Sequence, residues 1–393
     1  MKQTEHTIYL ILTVFLLLVP ARWTAVSAEE PYSVPIQSEK EGKSSSAKVR
    51  FAYDVDFELN FDNREYYRSN YSRSMTVFGA RLTPSIGIDV RQKDGTRHKV
   101  MLGVDIMKDF GREESLSLFR ELTIYYQLRK TIGKTELTLD AGILPRRFME
   151  GSYSTAFFSD SLRFYDSNIE GILLKFRRPH ARYEVGCDWM GMIEGSRRER
   201  FMIFSSGEGW VTPWMSLGYA GYMYHFANSE EVAGVVDNIL INPYLNADFA
   251  VMTPLQTLAI RVGWLQSFQQ DRRNVGRYVF PCGAEISTDI RKWNAGIRNT
   301  FFYGTDMMPY YNSVDQGGIK YGNSLYMGDP FFRVFDDGSS GWGAYDRLEA
   351  YYEPKIRNYL SIRVSAIFHF NRGYSGFQQI VSLRFNLSEL LKK

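Results

Sequence analysis

Residues 51–61 read FAYDVDFELNF. Phe51, Tyr53, Val55, Phe57, Leu59 and Phe61 alternate without a break with Ala52, Asp54, Asp56, Glu58 and Asn60. Successive side chains of a strand point to opposite faces, so this segment carries one apolar face and one face with three acids. A soluble sandwich would turn the apolar face inward, and a barrel in a bilayer would turn it outward. Which of the two applies decides the fold.

The pattern continues along the chain. Phe78, Ala80, Leu82, Pro84, Ile86, Ile88 and Val90 form one face of 76–91, against Gly79, Arg81, Thr83, Ser85, Gly87 and Asp89. The same two-sidedness recurs at 98–108, 119–129, 135–145, 167–177, 180–192, 213–227 and 236–251. It returns at 256–268, 277–291, 293–304, 344–354, 358–370 and 376–387. With 49–61 these give fifteen clear strands, most longer than the five or six residues usual in globular proteins. A tilted transmembrane strand needs about 9–11 residues, which they supply.

Connection lengths add a sixteenth strand. Outer-membrane barrels alternate short periplasmic turns with longer external loops. Starting upward at 49–61, the short connections are 92–97, 129–134 and 177–180, and the long ones are 62–75, 109–118 and 146–166. Treating 193–212 as one loop would invert every later connection and hang 305–343 into the periplasm. A strand at RERFMIFSS (198–206) restores the alternation, with 207–212 as a turn. The expectation is an all-β, antiparallel up-and-down transmembrane barrel of sixteen strands, with fourteen or eighteen as alternatives. Sixteen long strands enclose a lumen too wide for side chains alone to fill. Aromatic pairs near strand ends, such as Tyr66-Tyr67, Tyr125-Tyr126 and Tyr351-Tyr352, suit interfacial girdles.

The remaining composition fits an exported chain. Residues 1–28 hold Lys2, the apolar run IYLILTVFLLLV (8–19) and Ala25-Val-Ser-Ala28, a secretory signal peptide pattern with cleavage after Ala28. Residues 29–48 read as a flexible N-terminal segment, and 49–393 as the barrel. Without 1–28 the chain carries 45 basic and 43 acidic residues, a balance that argues against nucleic-acid binding. Cys187 and Cys282 are too few for a disulfide scaffold.

In architecture the chain resembles Gram-negative outer-membrane porins, general and phosphate-selective alike. A local likeness lies in LTLDAGILPRRFMEG (137–151) followed by SDSLRFYDSNIEG (159–171), a glycine-containing strand, a long loop and a second such strand. The C-terminal QQIVSLRFNLSELLKK departs from the aromatic final residue of porins. The resemblance implies passive diffusion of small hydrophilic solutes, a surrounding of outer-membrane lipid, and homotrimers. It also implies that 146–166, the third external loop, folds inward and narrows the lumen through Arg146, Arg147, Glu150, Asp160, Arg163 and Asp166.

Strand phase gives the lumen-facing charges. They include Asp54, Asp56, Glu58, Arg81, Asp89, Arg182, Arg261, Arg298, Arg347, Arg363 and Arg384, with Asp105, Asp140, Lys175, Glu184, Asp188, Asp248, Glu285, Asp289 and Arg291. Pairing residue 61 with about 76 sets Asp56 opposite Arg81, and closing the barrel brings Arg384 near Asp54. Loop 305–343 is a candidate cap whose Tyr, Trp, Asn and Asp could hold a sugar.

The rival class is an integral outer-membrane enzyme, such as a lipase, protease or deacylase. Downstream of residue 28 the histidines are His98, His180, His225 and His369, and on one strand Ser365 and His369 stand about 13 Å apart. No G-x-S-x-G or H-E-x-x-H occurs. The expectation is therefore a porin and not an enzyme, with no cofactor or metal; a non-conducting assembly or adhesion barrel is a further alternative.

Overall fold

A computed structural model describes residues 47–68, 73–112, 118–334, 341–372 and 374–391. The expected signal peptide (1–28) and nearly all of the expected N-terminal segment (29–48) lie outside the described residues. Sixteen long strands form one antiparallel sheet. They are β1 (Lys48–Tyr67), β2 (Met75–Arg91), β3 (Arg97–Asp109), β4 (Phe119–Ile132), β5 (Thr135–Pro145), β6 (Asn168–Arg178), β7 (Ala181–Gly191) and β8 (Arg200–Thr212). There follow β9 (Met215–Phe226), β10 (Val236–Asp248), β11 (Thr257–Asp271), β12 (Cys282–Lys292), β13 (Ala295–Gly304), β14 (Gly343–Tyr352), β15 (Leu360–Asn371) and β16 (Tyr374–Asn386). Each strand pairs with its sequence neighbours, and β1 also pairs with β16, so the sheet closes into a barrel. Among the described residues no helix is long and apolar enough to cross a membrane.

Closure satisfies every strand edge, the condition for backbone to lie in hydrocarbon. The apolar face points outward. Phe51 is 70 % exposed and Ile86 57 %, whereas Asp56 on the opposite face is 1 % exposed. So broad an exposed apolar belt suits contact with lipid.

Several strand boundaries differ from the sequence reading, and two differences bear on pairing. The strand expected at 198–206 starts at Arg200 and runs to Thr212, leaving only Pro213 and Trp214 as its turn. Gly207 and Gly209 weaken the alternation there, although Ser206 and Glu208 are buried on the inner face. The β1–β2 register is also shifted. Phe61 faces Phe78 instead of residue 76, because β1 continues to Tyr67 and β2 begins at Met75.

The core lies inside the barrel. Two connections on the loop rim fold into the lumen and pack against the inner wall. The first, after β5, contains α1 (Asp160–Tyr165), and the second, after β13, contains α2 (Gly322–Leu325). A third short helix, α3 (Leu387–Leu391), follows β16. Gly142 and Gly171 face each other where the first connection leaves and returns. Gly142 has φ +119°, and a Cβ there would lie 2.2 Å from the Ile124 carbonyl oxygen, so glycine permits the close approach.

Candidate functional site

The two infolded connections build an apolar layer across the lumen. Phe157, Phe158 and Phe164 of the first are buried, as are Met307, Tyr310, Leu325, Tyr326, Phe331 and Phe332 of the second. All of these but Phe164 meet inner-wall residues Met101, Tyr125, Met202, Phe204, Tyr222, Leu240, Leu265, Phe302 and Tyr345 in one cluster. On the far side, the Phe331 ring packs on Tyr66 of β1 and stacks on His369 of β15, at 5.3 and 4.3 Å. The connections also bind each other: Ser159 N–H donates to Met327 O (2.9 Å) and Asp329 N–H to Thr155 O (2.8 Å).

Polar wall residues hold the second connection in place. Tyr224 donates to Ser324 O (2.8 Å), Asn238 to Leu325 O (3.2 Å) and Asn371 to Phe331 O (2.8 Å). Tyr326 donates to Gln269 (2.6 Å), whose amide donates to Met307 O (2.9 Å). Arg198 closes on Asp315 at 2.7 Å, both side chains nearly dry. Burial raises the Asp315 pKa, but the Arg198 guanidinium outweighs it and holds the carboxyl below its ordinary value. The aromatics of 305–334 therefore belong to the interior, where they fold the loop against the wall. A loop gives no periodic signal for burial, so sequence pattern could not place it.

Among the residues expected in the first connection, Arg146 is buried against Asp166 (3.0 Å) and Asp188 (2.8 Å). Arg147 reaches Asp54 (3.1 Å) and Asp56. Glu150 pairs with Arg177 (2.6 Å) and Lys175 (3.3 Å); burial opposes its ionisation, but these cations win and its pKa lies below the ordinary value. Asp160 pairs with Arg347 (2.7 Å), and Arg163 is exposed.

The other charges of the inner face pair locally. Two expected pairs are replaced. Arg81 stands opposite Glu58 and bonds Asp105, Ser167 and the Phe164 carbonyl, because the register shift moves it away from Asp56. Arg384 binds Asp56 (2.9 Å) and lies 3.7 Å from Glu58, while Asp54 takes Arg147 and Asn386. Asp89 takes Arg97 (2.8 Å), Arg298 takes Asp289 (2.6 Å), and Arg363 bridges Glu349 and Glu353, each at 2.7 Å. Arg182 binds Glu208 and Ser152 (3.1 and 2.9 Å), and Arg261 donates to Asn242 (2.8 Å) over the Tyr244 ring.

The sequence reading missed a polar cavity of about 280 Å³ beside the apolar layer, on the loop rim. Glu121, Asp166, Asn168, Glu170, Asp188 and Arg200 give it its polar wall, with Leu162 and Met327 from the infolded connections. Asn168 donates to Glu121 (2.7 Å), and Glu170 stands beside Glu121. Glu170 makes no ion pair among the described residues. These groups sit on separate strands and loops, so no local motif announces them.

The histidines do not assemble a serine-based centre. Tyr345 and His369 share a 2.9 Å bond, His369 is buried, and Ser365 donates instead to Glu349 (2.8 Å). His98 bonds Tyr126 (2.7 Å), and His225 packs on Phe201 (4.9 Å). No His/Cys/Asp/Glu group able to hold a metal occurs among the described residues.

Residues 43–225 are similar to the Lipid A 3'-O-deacylase-type family. This match overturns the expectation that the chain is not an enzyme. No curated protein matches the chain. Among solved structures, a loop L8 deletion mutant of OmpT, an outer membrane protein of Vibrio cholerae, is 10% identical with a TM-score of 0.51; the alignment covers 87% of this chain and 99% of that one. OpdL of Pseudomonas aeruginosa is 10% identical, covering 86% and 98%, with a TM-score of 0.40. A mutant porin of Rhodopseudomonas blastica is 11% identical, covering 86% and 100%, with a TM-score of 0.44. The chain folds as a closed antiparallel β-barrel of porin-like architecture.

Proposed function

We propose that the protein is an outer-membrane hydrolase that removes an acyl chain from a lipid A-like glycolipid. The observation that carries this reading is the similarity of residues 43–225 to the Lipid A 3'-O-deacylase-type family, a span reaching from β1 into β9. The apolar layer across the lumen supports it, since such a layer opposes free flow of water-borne solutes. Most of the cavity wall, including Glu121, Glu170, Asp188 and Arg200, falls within the same span.

In the proposed reaction the Glu170 carboxylate takes a proton from water, and the resulting hydroxide attacks the acyl carbonyl carbon. Arg200 faces the oxyanion that forms. Breaking the ester C–O bond releases the fatty acid, and the proton returns to the sugar alkoxide. The test is to incubate the purified full-length protein with lipid A in mixed micelles and follow product mass. Loss of one acyl chain by the native protein, and about a hundredfold slower loss by Glu170→Gln, is expected. If the native protein leaves lipid A intact, the reading falls.

A second reading is a narrow passage for small hydrophilic solutes, with export following removal of residues 1–28 and assembly as a trimer. What favours it is the turn-side half of the lumen, where the Arg298 and Arg384 side chains each remain 41 % exposed beside their carboxylates. Liposome swelling with sugars of graded size separates the two: uptake without acyl release supports the passage, and acyl release without uptake supports the hydrolase.

A further inference from the structure

The rim that carries the short turns is basic and solvent-facing. Lys93 lies in the β2–β3 turn, Lys134 between β4 and β5, Arg178 at the end of β6, and Arg357 between β14 and β15; all four are exposed. Lys93, Lys134 and Arg357 make no ion pair among the described residues, and Arg178 donates only to the Thr135 hydroxyl (2.8 Å). The acids of this rim are engaged already. Asp94 accepts from Thr96 and Lys130, Asp248 caps Ala250, and Glu353 pairs with Arg363. The positive charge is therefore left to an external partner.

A second observation says where that partner lies. Trp293, at the tip of the β12–β13 turn, is 79 % exposed, and its backbone has φ +51°. A bulky residue in the left-handed region is unusual, and glycine or asparagine would fill the turn with less strain. The Lys292 ammonium sits 4.5 Å from the centre of the Trp293 ring. An exposed tryptophan under a cation at a barrel rim matches the membrane interface, where the ring reaches acyl chains and the amine reaches headgroups.

We propose that the turn rim is a docking collar for anionic phospholipid headgroups of the leaflet it faces. Lys93, Lys134, Arg178 and Arg357 hold phosphates, and Lys292 with Trp293 anchors the rim at headgroup depth.

The full-length protein is reconstituted with equal amounts of phosphatidylglycerol and phosphatidylethanolamine, and retained lipid is read by native mass spectrometry. Phosphatidylglycerol is expected about tenfold enriched. The enrichment disappears in K93Q/K134Q/R178Q/R357Q, whose unfolding temperature in phosphatidylethanolamine alone matches that of the native protein. Equal retention of the two lipids by the native protein overturns the proposal. So does full enrichment in the quadruple variant, or displacement of the lipid by inorganic phosphate or a soluble anionic glycan. Trp293→Ala is expected to lower retention as well, and unchanged retention removes the tryptophan from the collar.

Discussion

Gly328 lies so close to Ala156 that a Cβ on it would stand 2.1 Å from the Ala156 carbonyl oxygen. The two infolded connections meet there, between the backbone bonds Ser159–Met327 and Asp329–Thr155. Gly328→Ala should force them apart at a cost of about 1–3 kcal/mol. The expected result is a lower unfolding temperature in detergent together with higher single-channel conductance. Unchanged conductance would show that this contact does not control passage.

Phe157 is fully buried, its ring 5.4 Å from Tyr222 and 6.0 Å from Tyr153. Phe157→Ala should cost about 3–5 kcal/mol, because the surrounding rings cannot collapse into the space. Ile86→Arg, on the outer wall, should cost about 2–4 kcal/mol in a bilayer if it lies near the midplane. Guanidinium titration of both variants in bilayers and in micelles separates the cases. The Phe157 penalty should persist in micelles, and the Ile86 penalty should shrink.

Asp315 and Arg198 give the second connection a pH dependence. The folded pKa of Asp315 lies below its ordinary value, so the unfolded chain binds the proton more tightly. The pair's contribution is complete above the unfolded pKa, about 3.9, and is lost as pH falls through the folded value. Protease cleavage within 305–334 should therefore rise on acidification below about pH 4. Asp315→Asn should show that susceptibility already at neutral pH, and equal cleavage of both proteins there would refute the clamp.

Asp56 ties the barrel seam to the first connection. It accepts from Arg384 (3.0 Å) and Asn386 (2.8 Å) of β16 and pairs with Arg147. Asp56→Asn leaves two arginines facing each other without their shared carboxylate and should cost about 3–5 kcal/mol. Asn386→Ala removes hydrogen bonds to Asp54, Asp56 and the Glu389 N–H but leaves the carboxylate paired with its arginines, and should cost about 2 kcal/mol. Equal unfolding midpoints for the two variants would show that the charge is not what matters.

The barrel was legible because alternation and connection length are local properties of the chain. FAYDVDFELNF shows its two faces directly, and parity recovered β8 although its own pattern is weak. Partnership was less legible. A register shift of two residues keeps every side chain on its face while exchanging its neighbour, so Arg81 met Glu58 and Asp105 instead of Asp56. The interior of the lumen was least legible. Tyr326 and Phe331 lie in an irregular loop, and only the surrounding wall determines that they are inside. The cavity wall draws Glu121, Glu170 and Arg200 from three strands, and no spacing along the chain joins them.

The pairing of β1 with β16 constrains how the molecule is made. The sheet's free edges belong to the first and last strands, so neither edge finds its partner until the chain is nearly complete. Until then a growing sheet presents two rows of unpaired amides and carbonyls, which hydrocarbon rejects and other chains can capture. Insertion must therefore follow synthesis instead of accompanying it, and the chain needs protection during the interval. Arg384 and Asn386, reaching Asp56, mark the moment at which that exposure ends.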